Sequence, residues 1–240
     1  MNYNDYEIKD FTQERSLSFN DSFAILMRKV YLWMAMALVI TGVTSYGVAS
    51  SPGLMQAILT NNALLWVLII AEFGLVFAIS AAINKLSLTT ATLLFVLYSV
   101  INGATLSVIF LVYTMESIAS VFFITAGTFG VMAFIGYTTK KDLTSLGKML
   151  LMALIGIIIA TLVNVFFIQS SGFSLIVSYV GVLIFVGLTA YDSQKIKQML
   201  LQAPDAGESA QKLALLGALT LYLDFINLFI YLLRIFGDRK

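Results

Sequence analysis

The chain has 240 residues, of which 60% are apolar and only 11% are charged. Soluble domains carry roughly 25% charged residues, so this composition indicates an integral membrane protein. A net charge of +1 gives no reason to expect nucleic acid binding. The absence of cysteine and histidine excludes disulfides, thiolate and imidazole metal sites, and histidine-based catalysis.

Seven apolar runs have the length, about 20 residues, that spans a bilayer as a helix. They cover residues 30–50, 63–83, 88–111, 117–138, 148–168, 174–193 and 214–236. The first run is longer than the roughly 7–15 apolar residues of a signal peptide, so we expect it to be retained. Both prolines, Pro52 and Pro204, fall in polar breaks between runs. The sequence predicts an all-α integral membrane protein with seven transmembrane helices, made of a cytoplasmic tail (1–27) and one transmembrane domain (28–238).

The basic residues alternate between the breaks, and this alternation predicts the topology. Eleven of the fourteen precede the first run or follow the second, fourth and sixth runs: Lys9, Arg15, Arg28, Lys29, Lys85, Lys140, Lys141, Lys148, Lys195, Lys197 and Lys212. The pattern predicts a cytoplasmic N-terminus. Arg234, Arg239 and Lys240 follow the seventh run, where seven full crossings would place them outside. A partly re-entrant seventh helix is therefore an alternative.

The seventh run carries a carboxylate, Asp224, near its middle. An ionised Asp at the centre of a bilayer costs at least about 2.5–3.5 kcal/mol, so such a residue usually faces protein or water. Helical spacing places it on one stripe with other small or polar residues: Gly217, Thr220, Asn227, Tyr231 and Arg234. We therefore expect this stripe to face protein or water, in a helix that is wrapped by others.

Asp192, near the end of the sixth run in "VGLTAYDSQKIK", is the expected partner of Asp224. Consecutive antiparallel helices usually pack together, although run lengths place Asp192 nearer the membrane boundary than Asp224. Two carboxylates in contact cannot both ionise cheaply, so the pair would hold a shared proton and act as a pH sensor. When both are ionised, the pair offers oxygens to a hard cation such as Ca²⁺. A purely structural pair, satisfied by hydroxyls and amides, is the alternative.

Glu72 in "IIAEFGLVF" is a third buried-looking carboxylate. It could line the same cavity as the aspartates, or it could bond Asn102 or Asn164 on a neighbouring helix. Tyr98, Asn102 and Thr105 share one face of the third helix, which more often indicates a helix interface than a binding site. The loop "TKKDL" at 139–143 is most simply a positive anchor at the cytoplasmic surface.

The strings "GLTAYDSQKIK" and "LGALTLYLDFINLFIYLLRIFG", with "GYTTKKDL" and "MALIGIIIATLVN", closely resemble the Bax inhibitor-1 family of transmembrane Bax-inhibitor-motif proteins, in its bacterial branch. The resemblance covers the chain from about residue 25. It implies a seven-helix protein of the bacterial inner membrane, with a central helix wrapped by the others, that acts as a pH-sensitive calcium leak. Its two sensor aspartates match Asp192 and Asp224. It also implies an arginine late in the second helix that latches one aspartate; here Ile83 lies near that place, and Lys85 is the nearest basic residue.

The resemblance and the residues together predict a cation leak gated by the aspartate pair, with Glu72, Lys85, Asn227 and Arg234 as possible supporting residues. We expect no enzymatic activity and no tightly bound cofactor; the partners would be the lipid bilayer, Ca²⁺ and protons, with protein partners open. A proton-coupled transporter of another solute is one alternative. An intramembrane aspartyl protease is another, but "LYLD" before Asp224 lacks the glycines of the protease motif.

Overall fold

The computed structural model describes the backbone of residues 3–203 and 205–240, and side chains from residue 21 onward apart from Pro204. The helices are α1 (Tyr3–Ala49), α2 (Pro52–Thr60), α3 (Asn62–Ala82), α4 (Leu88–Leu106), α5 (Ile109–Val112), α6 (Met115–Thr138), α7 (Thr144–Val163), α8 (Ser171–Leu201) and α9 (Glu208–Phe236). A π-helical turn, Asn164–Ile168, continues α7. Pro204 and the side chains of Lys9 and Arg15 lie outside the described residues.

Four helices, α3, α4, α6 and α8, start at polar breaks where a residue of the break caps the helix. The side chains of Asn61, Ser87, Thr114 and Ser170 each accept a hydrogen bond from a backbone N–H in the first turn of the following helix, at 3.1–3.3 Å. Such caps satisfy donors that a helix leaves unpaired at its start. Pro52 occupies the first position of α2, where its missing N–H has no consequence.

Seven helical stretches within residues 21–203 and 205–240 are long and apolar enough to cross a membrane. This confirms the predicted number, and each stretch overlaps one predicted run. Some ends were predicted wrongly. The short helix α2 was missed, the sixth helix continues to Leu201 rather than 193, and the seventh begins at Glu208 rather than 214. The helix α1 also begins before the apolar run, so residues 3–27 continue the first helix.

The prediction that the seventh helix is central is confirmed by its burial. In the most apolar part of α9, 67% of residues are buried, against 6% in α3. The helix α9 packs against α8, α1, α6 and α4, whereas α3 contacts mainly α4. Large side chains of α3, such as Trp66, Phe73 and Phe77, are exposed, as expected for a helix that faces lipid.

The helix α9 runs the full length of the bundle. Near its start, Glu208 Oε1 accepts a hydrogen bond from Leu88 N, at the first residue of α4 (3.0 Å). Beyond its end, Asp238 O accepts a hydrogen bond from Thr114 N, between α5 and α6 (3.1 Å). These two connections lie at opposite ends of α4, so α9 passes from one end of the bundle to the other. The re-entrant alternative finds no support.

The segments rich in basic residues meet at one end of the bundle, which we call the basic end. Lys29 Nζ donates to Gln211 Oε1 (2.7 Å), and Lys212 Nζ donates to Leu86 O between α3 and α4 (3.0 Å). The loop 139–143 docks on the last turns of α8 at this same end. The fold therefore brings these basic segments to one end, as the alternation of basic residues requires, while Arg234, Arg239 and Lys240 lie toward the opposite end.

Single-cysteine labelling tests the orientation of this bundle, which we predict to have its basic end in the cytoplasm. Cysteines placed at Ser51 and Ser171, at the opposite end, should react with a membrane-impermeant maleimide added to intact cells. A cysteine at Ser145, at the start of α7, should react only after the cells are permeabilised. Labelling of Ser145→Cys in intact cells would contradict the predicted topology.

Candidate functional site

The helices α8 and α9 pack antiparallel, and glycines bring them close at two levels. A Cβ added at Gly217 of α9 would lie 3.0 Å from Ile196 Cγ2 of α8. A Cβ added at Gly181 of α8 would lie 2.7 Å from the ring of Tyr231 of α9. These two contacts fix the register, so the turns between them face each other.

Asp192 and Asp224 lie between these two contacts, and the structure brings their carboxyl groups within hydrogen-bonding reach of each other. Their exposed fractions are only 8% and 5%. The run lengths suggested that Asp192 lies nearer the membrane boundary than Asp224. This difference in depth disappears because α8 is longer than its apolar run. Asp192 lies about 14 Å before the end of α8 at Leu201, well inside the helix.

The pair has few other hydrogen-bonding partners. Asp224 Oδ2 is buried and receives no hydrogen bond from a donor group among the described residues. Two carboxylates are both acceptors, so they can bond each other only when a proton lies between them. A buried polar atom without a protein donor is also a place where water or an ion is expected. The arrangement is thus able to hold a proton or a cation.

Ser193, next to Asp192, is buried at 1% exposure, and its Oγ has no hydrogen-bond partner in the described part of the chain. Lys195, one turn further along α8, attracts the Asp192 carboxylate electrostatically and lies over the Tyr191 ring at 5.8 Å. Sequence reasoning missed both residues. The i, i+3 spacing of Asp192 and Lys195 was a signal that could have revealed the second.

The end of α8 that carries Asp192 is tied to the loop 139–143. Gln194 Oε1 accepts a hydrogen bond from Leu143 N, and Gln194 Nε2 donates to Lys141 O, both at 2.8 Å. Lys197 Nζ donates to Tyr137 O (2.8 Å). The loop is therefore more than a surface anchor, because it holds the helical turn next to the aspartate.

Asp142, in the same loop, is fully exposed at its carboxyl group and bonds the start of α7. Its Oδ1 accepts a hydrogen bond from Thr144 N (2.9 Å). The hydroxyl and backbone N–H of Thr144 hold the pKa of the Asp142 carboxyl below its usual range. Asp142 therefore stays ionised near neutral pH, and it serves as a control carboxylate for the buried pair.

The proposed supporting residues do not join the aspartates. Asn227 Nδ2 donates to a carbonyl of its own helix at 2.8 Å, as does Thr220 Oγ1 of the same polar stripe at 3.0 Å. Arg234 is exposed and lies over the Tyr231 ring at 5.7 Å. Lys85 is exposed in the α3–α4 turn, and among the described residues its side chain bonds neither aspartate. The structure therefore gives Lys85 no latching contact.

Glu72 lies in a separate polar network on the other side of α9. Its carboxylate accepts hydrogen bonds from Thr105 Oγ1 (2.6 Å) and Asn102 Nδ2 (3.4 Å). Asn102 Oδ1 accepts from the Tyr222 hydroxyl (2.9 Å), which lies 2.7 Å from Thr41 Oγ1. Of the two amides suggested as partners of Glu72, Asn102 is therefore the one that bonds it. The network joins α1, α3, α4 and α9.

Asn164, the other suggested partner, bonds elsewhere. Its Nδ2 donates to Ser174 Oγ (2.7 Å), and its Oδ1 accepts from Ser170 N (3.1 Å). These bonds close the turn between α7 and α8, far along the chain from Glu72. The interpretation of Asn164 as a Glu72 partner is wrong.

Replacing Tyr222 with Phe should destabilise the bundle by about 1 kcal/mol, because it removes the donor to Asn102 and the contact with Thr41 inside the membrane. Tyr222 is fully buried, whereas Tyr179 of α8 is 53% exposed. Tyr179→Phe is therefore the matched control and should leave stability unchanged. Reversible unfolding in mixed micelles measures both; equal stability of the two variants would contradict a structural role for this network.

Comparison with known sequences extends over nearly the whole fold. The family described as "Inhibitor of apoptosis-promoting Bax1" matches residues 24–240. The chain belongs to the Bax inhibitor family. The inner membrane protein YbhL of Escherichia coli (strain K12) is 53% identical to it over 215 residues, which cover 89% of this chain and 92% of that protein.

Other relatives span even more of the chain. An uncharacterized protein of Borreliella burgdorferi is 47% identical over 232 residues, covering 96% of this chain and 98% of the relative. The uncharacterized protein RP147 of Rickettsia prowazekii is 40% identical over 236 residues, covering 98% and 99%. Membership of the Bax inhibitor family, an inner membrane relative and seven apolar helices together identify a multi-pass protein of the bacterial inner membrane.

Proposed function

We propose that this Bax inhibitor family member is a pH-sensitive cation leak, permeable to calcium and gated by Asp192 and Asp224. The observation that carries the proposal is the contact between these two buried carboxyl groups at the α8–α9 interface. A non-enzymatic role is part of the proposal.

The gating follows from the proton that the pair shares. With one proton between them, the carboxyl groups hold each other, and α8 and α9 stay together. Loss of that proton leaves two negative charges in a poorly solvated place, and only a cation or separation of the helices relieves their repulsion. The ionised state is therefore the one that admits cations.

The two carboxylates fit a site that binds calcium weakly and briefly better than one that holds it tightly. Ca²⁺ takes six to eight oxygen ligands, and two carboxylates supply at most four. In the part of the chain that the structure describes, no third acidic residue joins them to form a metal-binding cluster. Water would supply the remaining ligands, and a weakly held ion is able to leave again, as permeation requires.

The burial of both aspartates fits a closed state of the path. Because Gln194 fastens the end of α8 to the loop 139–143, any displacement of α8 at Asp192 would carry this loop with it. We propose that opening moves α8 together with the loop relative to the central helix α9.

Calcium flux into liposomes containing the purified protein tests the proposal. We expect the initial flux to rise between roughly pH 6 and 8, with the pH equal on both sides of the membrane, because the shared proton leaves over this range. Protein-free liposomes report the background leak. A flux that is independent of pH would contradict the gating. A flux that saturates and needs a proton gradient would instead indicate a proton-coupled carrier.

A further inference from the structure

A large apolar groove separates α1 from α6 toward the basic end of the bundle. Its volume is about 680 Å³, within the roughly 300–1,000 Å³ of typical ligand sites. Its walls are side chains of the two helices: Phe23, Ala24, Met27, Arg28, Tyr31, Met34, Ala35 and Leu38 of α1, and Phe129, Gly130, Ala133, Phe134 and Tyr137 of α6. Among the described side chains only these two helices contribute to the lining, so the groove is a gap between two helices that both pack on α9.

The groove opens toward the surface that faces the bilayer. Phe134 of its wall is 66% exposed and Tyr31 is 39% exposed, and both belong to membrane-spanning helices. Apolar walls at membrane depth are poorly matched to water, whereas a lipid acyl chain fills such a space without an unsatisfied polar group. The position of the groove therefore selects a lipid as its occupant.

Polar and basic groups gather at the end of the groove nearest the membrane surface. Arg28 is exposed, and within the described part of the chain its side chain makes no hydrogen bond or ion pair. Lys197 lies 4.8 Å from the centre of the Tyr137 ring and uses one N–H on Tyr137 O. A positive mouth above an apolar groove has the charge pattern that complements an anionic phospholipid.

We propose that the groove between α1 and α6 binds one anionic phospholipid, with an acyl chain between the helices and the phosphate facing Arg28 and Lys197. The lipid comes from the leaflet at the basic end of the bundle. Its chain would bridge α1 and α6, which both pack on α9 and whose Phe23 and Tyr137 rings stack at 6.4 Å.

Filling the groove tests the acyl-chain part of the proposal. A Cβ added at Gly130 meets nothing within 4 Å, and the same holds for Gly127 one turn earlier, which is exposed but does not line the groove. Native mass spectrometry of the detergent-purified protein with phosphatidylglycerol should show at least a fivefold loss of bound lipid in Gly130→Leu. Gly127→Leu should bind lipid as the unmodified protein does.

Removing the positive charge at the mouth of the groove tests the proposed binding of the lipid headgroup. Arg28→Gln should reduce the preference for phosphatidylglycerol over phosphatidylethanolamine by about fivefold, the factor expected for one basic residue near an anionic surface. Lys148→Gln, which removes an exposed charge from α7 at the same end, should leave this preference unchanged.

Three results would overturn the proposal. If Gly130→Leu and Gly127→Leu retain lipid equally, the groove does not hold the chain. If Gly130→Leu instead converts a dimer to a monomer in the same spectra without loss of lipid, the groove binds a second copy of the protein. Should Gly130→Leu fail to fold, equal headgroup preferences of Arg28→Gln and Lys148→Gln would refute the proposal independently.

Discussion

Asp224→Asn should leave a folded protein whose calcium flux no longer changes with pH. The Asn amide cannot ionise, but its Nδ2 can donate a hydrogen bond to the Asp192 carboxylate and so replace the shared proton permanently. The repulsion that opens the path in our proposal then never develops. We expect the flux between roughly pH 6 and 8 to stay at the low level of the unmodified protein at the acidic end of that range.

Asp192→Asn should have the same effect from the other side of the pair. The double variant should be no worse than either single one, because both changes disable one unit and their effects are not additive. Asp142→Asn is the matched control, since it removes a carboxylate that is exposed and outside the spans. It should keep the pH profile.

The double variant also gives the clearest test of whether the aspartate pair is the pH sensor. If its liposome flux keeps the pH profile of the unmodified protein, the sensor lies elsewhere. Glu72 would then be the next candidate, because it is the carboxylate of the network around Asn102 and Tyr222. The variant Glu72→Gln would test it in the same assay.

The residues alone were sufficient to predict the number of spans and the burial of α9. Both depend on simple physical limits: the length of helix that crosses a bilayer, and the cost of a carboxylate in hydrocarbon. The presence of Asp224 within an apolar run therefore predicted that this residue is buried inside the protein. The helix ends were harder to predict, because α8 continues through the polar residues Gln194 to Gln198, where hydropathy falls but helical hydrogen bonding does not.

Contacts between segments distant in the chain could not be predicted from periodicity. The docking of Gln194 on the loop 139–143 depends on how α6, α7 and α8 come together. The same is true of the C-terminal residues, where Asp238 O accepts from Thr114 N and Lys240 N donates to Val112 O at the end of α5. For Glu72 the sequence suggested the right partner type, an amide, but the choice of Asn102 over Asn164 depended on the packing of α3 on α4.

Gly136 of α6 makes a tight contact with α8 that no pattern in the sequence predicted. A Cβ added there would overlap the carbonyl oxygen of Ala190 in α8. A backbone carbonyl cannot rotate away as a side chain does, so the whole of α8 would have to shift. Ala190 precedes Asp192 by two residues, and the shift would therefore also disturb the aspartate pair.

Gly136→Ala should accordingly destabilise the protein by about 3 kcal/mol, at the upper end of the cost of overpacking. Gly127→Ala of the same helix is the matched control, because a Cβ there meets nothing within 4 Å. Both changes improve helix propensity equally, so the control should be neutral or slightly stabilising. Unfolding in mixed micelles measures the difference, and equal stability of the two variants would show that α6 and α8 do not pack through Gly136. If Gly136→Ala still folds, its calcium flux should also lose part of its pH dependence, because α8 can no longer hold Asp192 against Asp224.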